Sequence, residues 1–180
     1  KQGCVAMDSR AKMASQEIVL EQHQTLVSKT DLKGQIIFVN RDFVEVSGFS
    51  EKELIGSQHN IVRHPDMPSA AFKDLWATVG QGKPWVGLVK NKSKHGDFYW
   101  VDARVIPVWN DGRIVAYMSV RKKPSREQIS AAESLYRDMR DGKQVHISIK
   151  RRLQMAVDKM TLTTKLSSLM GVIFLLFIVA

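Results

Sequence analysis

A single cysteine, Cys4, stands in 180 residues, so the chain has no internal disulfide and no cysteine-built metal site, and it suits a reducing compartment. No apolar signal-peptide core opens it: "KQGCVAMDSRAKMASQ" reads as a tail, a vector remnant or a fragment end. A Gly-rich phosphate loop and a nucleophile–base constellation are both missing, which leaves an enzyme role without support. His59 and His64 lie five apart near Asp66, but no further ligand cluster accompanies them, so no metal is expected. Acids are the scarcer charge, 18 against 27 lysines and arginines, for a net charge of +9. That excess suits nucleic acid, and equally a segment beside an anionic membrane.

The C-terminus separates those two readings. "LSSLMGVIFLLFIVA", from Leu166 to Ala180, carries no charge. A spanning helix needs about 20 such residues, so this run reads as the start of a transmembrane helix, the alternative being a buried core helix. Lys150, Arg151, Arg152, Lys159 and Lys165 precede it, opposed only by Asp158. Positive residues on one flank place that flank in the cytoplasm. The basic excess is thereby assigned to membrane topology, and no nucleic acid partner is expected.

The chain as a whole, 44% hydrophobic and 25% charged, has the composition of an ordinary globular domain with extensions. "TLVSKTD" and "QIIFVN" are short β-rich runs around the turn "DLKG". "RDFVEVSGFSEKELIG" carries Phe43, Val46 and Phe49 at helical spacing and closes on Gly56. "SAAFKDLWATVGQG" predicts a helix with Ser69 as N-cap and a stripe of Phe72, Leu75, Trp76 and Val79. Three strands follow, "WVGLVKNK", "DFYWVDARVIPVW" and "RIVAYMSVRK", joined through "SKHG" and "NDG", the latter a strong hairpin signal. Trp85, Gly87, Val89 and Asn91 share one face of the first, and Tyr99, Val101, Ala103 and Val105 one face of the second. Beyond Pro124, Ser125 and Gln128 form a capping box for a helix whose stripe is Ile129, Ala132, Leu135 and Met139, stopping at Gly142. The expected class is α+β. An antiparallel sheet of about five strands carries short helices on one face, followed by helical linker and the truncated span. The boundaries read as a tail at 1–22, a sensor domain at 23–123, a basic helical linker at 124–165 and the membrane segment at 166–180.

"HNIVRHPDMP", His59 to Pro68, fits none of these elements. It holds two histidines, an arginine and an aspartate between prolines that stiffen the backbone. On its chemistry alone it reads as a structural Arg–Asp pair with a surface histidine, or as a polar ligand contact. Together with "VSGFSEKELIGSQ", "GKPWVGLVKNKSKHGDFYWVDARVIPV" and "GRIVAYMSVRKKPSREQ", it resembles the PAS domain of the Aer family of bacterial aerotaxis receptors, over about Thr25 to Gln128.

The resemblance implies a flavin-binding redox or oxygen sensor: a cytoplasmic domain anchored to the bacterial inner membrane, acting as a homodimer and signalling to CheA and CheW through further C-terminal domains. It implies FAD as cofactor, with Arg63 offering a planar fork to phosphate, His64 a second donor, and Asp66 orienting Arg63 or meeting the ribose or adenine. Asn40 is carried over from the same family. Asn91, a buried amide on an apolar face, needs a partner such as the flavin's pyrimidine edge. Trp76 is placed to stack on flavin or adenine, and Trp85 and Tyr99 to line the ring slot. A haem-binding PAS gas sensor and a cofactor-free PAS dimerisation module are the alternatives. A LOV photosensor needs a cysteine near "GSQHN", where this chain has His59.

Overall fold

The computed structural model describes residues 15–142. Its strands are β1 (Leu26–Thr30), β2 (Ile36–Val39), β3 (Trp85–Lys92), β4 (Phe98–Asn110) and β5 (Arg113–Lys122). All neighbours pair antiparallel, in the order β2-β1-β5-β4-β3. Between β2 and β3 lie α1 (Arg41–Ser47), α2 (Glu51–Leu54), a one-turn 3-10 helix (His59–Val62) and α3 (Ser69–Gly80), and α4 (Arg126–Arg140) closes the described chain. The expected α+β architecture, five antiparallel strands with short helices, is the one observed.

Turn chemistry sets the register. Asp111 and Gly112 both adopt positive φ, 47° and 74°, which is the two-residue hairpin turn that the "NDG" signal predicts. Past a bulge between Val108 and Trp109, the β4–β5 ladder runs in regular register, and one row of each strand faces inward. Trp85, Gly87, Val89 and Asn91 of β3 are buried, as are Tyr99, Val101, Ala103 and Val105 of β4. Phe43, Leu54, Val62, Leu75 and Val79 close over this inner face and form one core with it.

Three features depart from the sequence reading. Ser69 is the first residue of α3 and caps nothing; the N-cap position is Pro68, whose ring fixes φ at −63° and starts the helix without a side-chain bond. Residues 16–20 belong to the fold, not to a tail: the Phe98 amide donates to the Gln16 carbonyl (2.9 Å), Ile18 donates to that of Phe98 (2.7 Å), and Leu20 is buried. On the other side α4 packs against the outer face of the sheet, burying Ile129, Ala132 and Tyr136. Tyr136 lies beside the expected stripe and stacks on Trp100 (6.2 Å, 15°). The residues assigned to the basic linker beyond 142 and to the membrane segment at 166–180 lie outside the described residues. No helix among the described residues is long and apolar enough to cross a membrane.

Asn40 is where strand and helix are fastened together. Its side-chain oxygen accepts from the amides of Val27 (2.9 Å) and Phe43 (3.2 Å), and its nitrogen donates to the Thr25 carbonyl (2.7 Å). It is therefore the N-cap of α1 and a tie to the start of β1. Asn40→Ala should lower the free energy of unfolding in urea by about 1–2 kcal/mol, the upper range for an N-cap because the strand tie goes too. Asn40→Asp keeps the acceptor and should lose less. An alanine variant as stable as the parent would contradict this role.

Candidate functional site: an inner-face cavity with a buried arginine

A cavity of about 250 Å³ lies between the inner face of the sheet and the helices. Its floor is the sheet: Ser28 and Thr30 of β1, Tyr117, Ser119 and Arg121 of β5, Ala103 and Val105 of β4, and Val89 and Asn91 of β3. Ala103 brings only a methyl group to this floor, while Gly87, its partner on β3, is covered by the Trp85 ring. Phe72, Leu75 and Trp76 of α3 form the opposite wall, and Lys33, Gly34, Gln58 and Asn60 border it near the turn before β2.

Arg121 dominates the electrostatics. It is 3% exposed, and the register that pairs it with Leu26 and Ala103 turns it inward. Its guanidinium donates to Ser28 Oγ (3.0 Å) and to His59 Nε2 (2.7 Å), and lies 5.3 Å from the centre of the Phe43 ring. No carboxylate pairs with it among the described residues. Burial pushes the guanidinium down to about 10. A buried unpaired cation costs several kcal/mol, so its place on a cavity floor requires explanation. Beside it, Thr30 Oγ1, Ser119 Oγ and Asn91 Nδ2, the last next to the Tyr99 phenol, are buried and lack a hydrogen-bond partner of good geometry among the described residues. Buried polar atoms are satisfied in the great majority of cases. Their concentration on one cavity marks it as a place for a polar-edged ligand.

The predicted site residues divide into two groups. Arg63, Trp76 and Asn91 line the cavity. Arg63 lies against the Phe72 ring (4.4 Å) with Nη2 donating to the Met67 carbonyl (2.9 Å), and Asn91 is 2% exposed. Trp76 is 40% exposed and meets Tyr117 edge-on at 5.7 Å. The others sit elsewhere. Asn40 is consumed by its cap. Trp85 donates its indole N–H to Asp74 (2.9 Å) and lays its ring over Gly87 on the inner face, beside the cavity and not in its lining. Tyr99 is fully buried next to Asn91, its phenol pushed up chiefly by burial, and it forms core rather than lining. His64 packs edge-on against Phe98 (5.9 Å), and Asp66 pairs with Lys90 (2.7 Å) and His64, not with Arg63. The Lys90 hydrogen bond holds the Asp66 carboxyl below its ordinary range. "HNIVRHPDMP" is nevertheless a stiff unit: Val62 and Met67 anchor it in the core, and its backbone runs along the edge of β3 through an Arg63–Asn91 bridge.

The residues that sequence reasoning missed are Arg121 and His59. Burial, then the neighbouring Arg121, lowers the His59 imidazole to about 3. Its Nε2 accepts from Arg121, so the neutral ring carries its proton on Nδ1. An unfolded histidine titrates near 6.5 and the folded one near 3, so on acidification the unfolded state takes up a proton that the folded state refuses. Stability present above pH 6.5 is lost as pH falls toward 3. His64, lowered by burial and Lys90, adds in the same direction. The thermal midpoint should therefore fall from about pH 7.5 to about pH 5, above the range where most carboxylates titrate. His59→Asn should flatten that profile without removing it; a profile as steep as the parent's would contradict the assignment.

With this geometry in hand, known proteins bring the chain into focus. Residues 36–121 match the family model of the PAS fold. The chain is 46% identical over 137 residues to the aerotaxis receptor of Escherichia coli K12, covering 76% of this chain and 27% of that protein. It is 28% identical over 105 residues to a nitrogen fixation regulatory protein of Klebsiella oxytoca, covering 58% of this chain and 21% of that one. Among solved structures it superposes on the dark state of the Aureochrome1 LOV blue-light photoreceptor with a TM-score of 0.54, at 19% identity over 64% of this chain and 84% of that chain. It also superposes on a light-oxygen-voltage domain studied with a flavin analogue, TM-score 0.55, at 18% identity over 67% of this chain and 90% of that chain. The chain spans about a quarter of the length of these curated relatives. Fold, motif and identity agree: residues 36–121 are a PAS domain, and the chain belongs to the aerotaxis-receptor family of PAS proteins.

Proposed function

We propose that this PAS domain is the sensor of a membrane-anchored aerotaxis-type receptor, and that its cavity holds the ring of a flavin, FAD in this family, whose redox state sets the signal. The observation that carries the reading is the cavity floor. An apolar strip at Ala103 and Val105 is bordered by a cation without a carboxylate and by three polar atoms without partners among the described residues. A tricyclic ring with hydrogen-bonding groups along one edge matches that arrangement in shape and chemistry.

When bound, a flavin supplies an electron-accepting centre whose reduced ring carries negative charge near neutral pH. The chain's own residues then have separable tasks. Arg121, undiluted by any carboxylate among the described residues, favours added negative charge in its neighbourhood, and low polarity magnifies that preference. His59 and Ser28 hold its guanidinium in place. Asn91, Ser119 and Thr30 offer hydrogen bonds, and Phe72 and Leu75 exclude water. Arg63, with a free edge toward the cavity, serves the phosphates. The ligand's redox state moves the domain only through the difference in its interactions with two arrangements. Haem finds less support: His64 does not line the cavity, and His59 Nε2 is already engaged by Arg121. The membrane anchor at 166–180, homodimer pairing and signalling to CheA and CheW belong to the same proposal and rest on the family.

The full chain, purified under mild conditions, should show the double absorption band of a flavin. A charge-assisted bond contributes roughly 1.5–3 kcal/mol, so Arg63→Ala should weaken FAD binding about 10- to 100-fold while the far-UV spectrum stays native. Arg63→Lys should recover part of the affinity, since an ammonium lacks the fork. A Soret band, no chromophore after reconstitution, or an Arg63→Ala variant that retains flavin at parental stoichiometry after dialysis would each count against the reading.

A further inference from the structure

Strand β3 has two sides, and both are in use. Its odd-numbered residues Val89 and Asn91 face the cavity, while Leu88 and Lys90 face outward toward α4. The loop at 63–67 runs along its free edge. Arg63 bridges to Asn91, the His64 amide donates to the Lys90 carbonyl (3.4 Å), and the Lys90 amide donates to Met67 Sδ (3.2 Å). Arg63 closes the loop on itself through the Met67 carbonyl. Within this joint Arg63 lies three positions from Asp66, and Asn91 lies next to Lys90.

α4 grips this joint at two points. The Tyr136 hydroxyl donates to the Leu88 carbonyl while its ring stacks on Trp100. One turn further on, Arg140 Nη1 donates to the Asp66 carbonyl, and the Asp66 carboxylate is itself bonded to Lys90 Nζ. A carbonyl of β3 and a carbonyl of the loop are therefore both held from outside, on the far side from Asn91 and Arg63. None of these contacts faces the cavity, and α4 contributes no residue to its lining.

We infer that Tyr136 and Arg140 are positioning residues for the cofactor site. By clamping α4 onto β3 and the 63–67 loop, they hold Arg63 and Asn91 in their cavity-facing places, so that ligand occupancy and α4 docking are coupled. The inference rests on the flavin reading for the identity of the ligand, though not for the existence of the joint. It also gives Asp66 and His64 a place: they are parts of the joint, and their loss reaches the ligand through Arg63. Coupling of two equilibria is reciprocal, so whatever factor α4 docking contributes to FAD affinity, FAD must return to α4 docking.

The test uses the full chain. FAD affinity is measured by fluorescence titration, and opening of residues 126–140 by amide hydrogen exchange. Tyr136→Phe, which keeps the ring stack, and Arg140→Gln should each speed exchange in α4 and weaken FAD binding by at least about fivefold, the lower range of site–site coupling. FAD should slow α4 exchange in the parent by the same factor. Arg140→Lys should restore much of the affinity, because it can still reach a carbonyl. Loosened α4 with unchanged FAD affinity, or α4 exchange indifferent to FAD, would overturn the inference. If the chain binds no flavin, the reading above fails while the joint is still open to test in the empty protein. There Arg63→Gln should speed α4 exchange, and its effect with Arg140→Gln should be non-additive. Strict additivity, or no effect of Arg63→Gln on α4, would then refute the joint as well.

Discussion

A guanidinium buried without a carboxylate among the described residues is the constraint around which this domain is arranged. Arg121 sits in the central strand of the sheet, and every nearby choice accommodates it. Ser28 and the neutral imidazole of His59 take its hydrogens, and Phe43 presents a ring face. None of these neutralises the charge. A well-packed apolar residue of similar volume would be expected to serve stability as well or better. The arginine is kept where the helices leave a cavity over it, which ties the cost in the empty protein to the benefit of a ligand able to carry negative charge.

The same sheet explains why the site is stiff on one side and responsive on the other. Its inner face is core at Val101 and cavity floor at Ala103 and Val105, with Tyr99 and Trp85 packed beside the cavity. Its outer face at β3 and β4 is covered by α4 and by residues 16–20. Among the described residues no further strand follows β3, and its edge is taken up by the polar "HNIVRHPDMP" loop. This edge, sealed by a loop through a few bonds, is the boundary of the sheet that both the cavity and α4 touch.

Much of this was legible in the sequence because alternation and turn chemistry are local. Five strands, the "NDG" hairpin, the inward rows on β3 and β4, and Asn91 as an amide needing a partner all follow from short windows. Arg121 escaped for the opposite reason. In "SVRKK" it reads as the basic end of a strand, and only the register against Leu26 and Ala103 turns it inside. His59 was legible as a histidine in a stiff motif, but its role depends on a partner 62 positions away. Asn40, Trp85 and Tyr99 show the converse: residues of suitable chemistry consumed by a cap, an indole–carboxylate bond and the core. Tyr136 lay off the expected stripe, because the surface it fits is Trp100 on the outer face of β4, which a helical period cannot reveal.

The central claim is that Arg121 is retained for a ligand at the expense of the empty fold, and urea unfolding of Arg121→Met with and without FAD tests it most directly. The account predicts a ligand-free variant as stable as the parent or more stable, by about 1–4 kcal/mol if the methionine packs well. It further predicts that adding FAD raises the unfolding midpoint of the parent by more than that of the variant. A ligand-free Arg121→Met protein markedly less stable than the parent would contradict the account, because Arg121 would then be holding the fold and not waiting for a ligand.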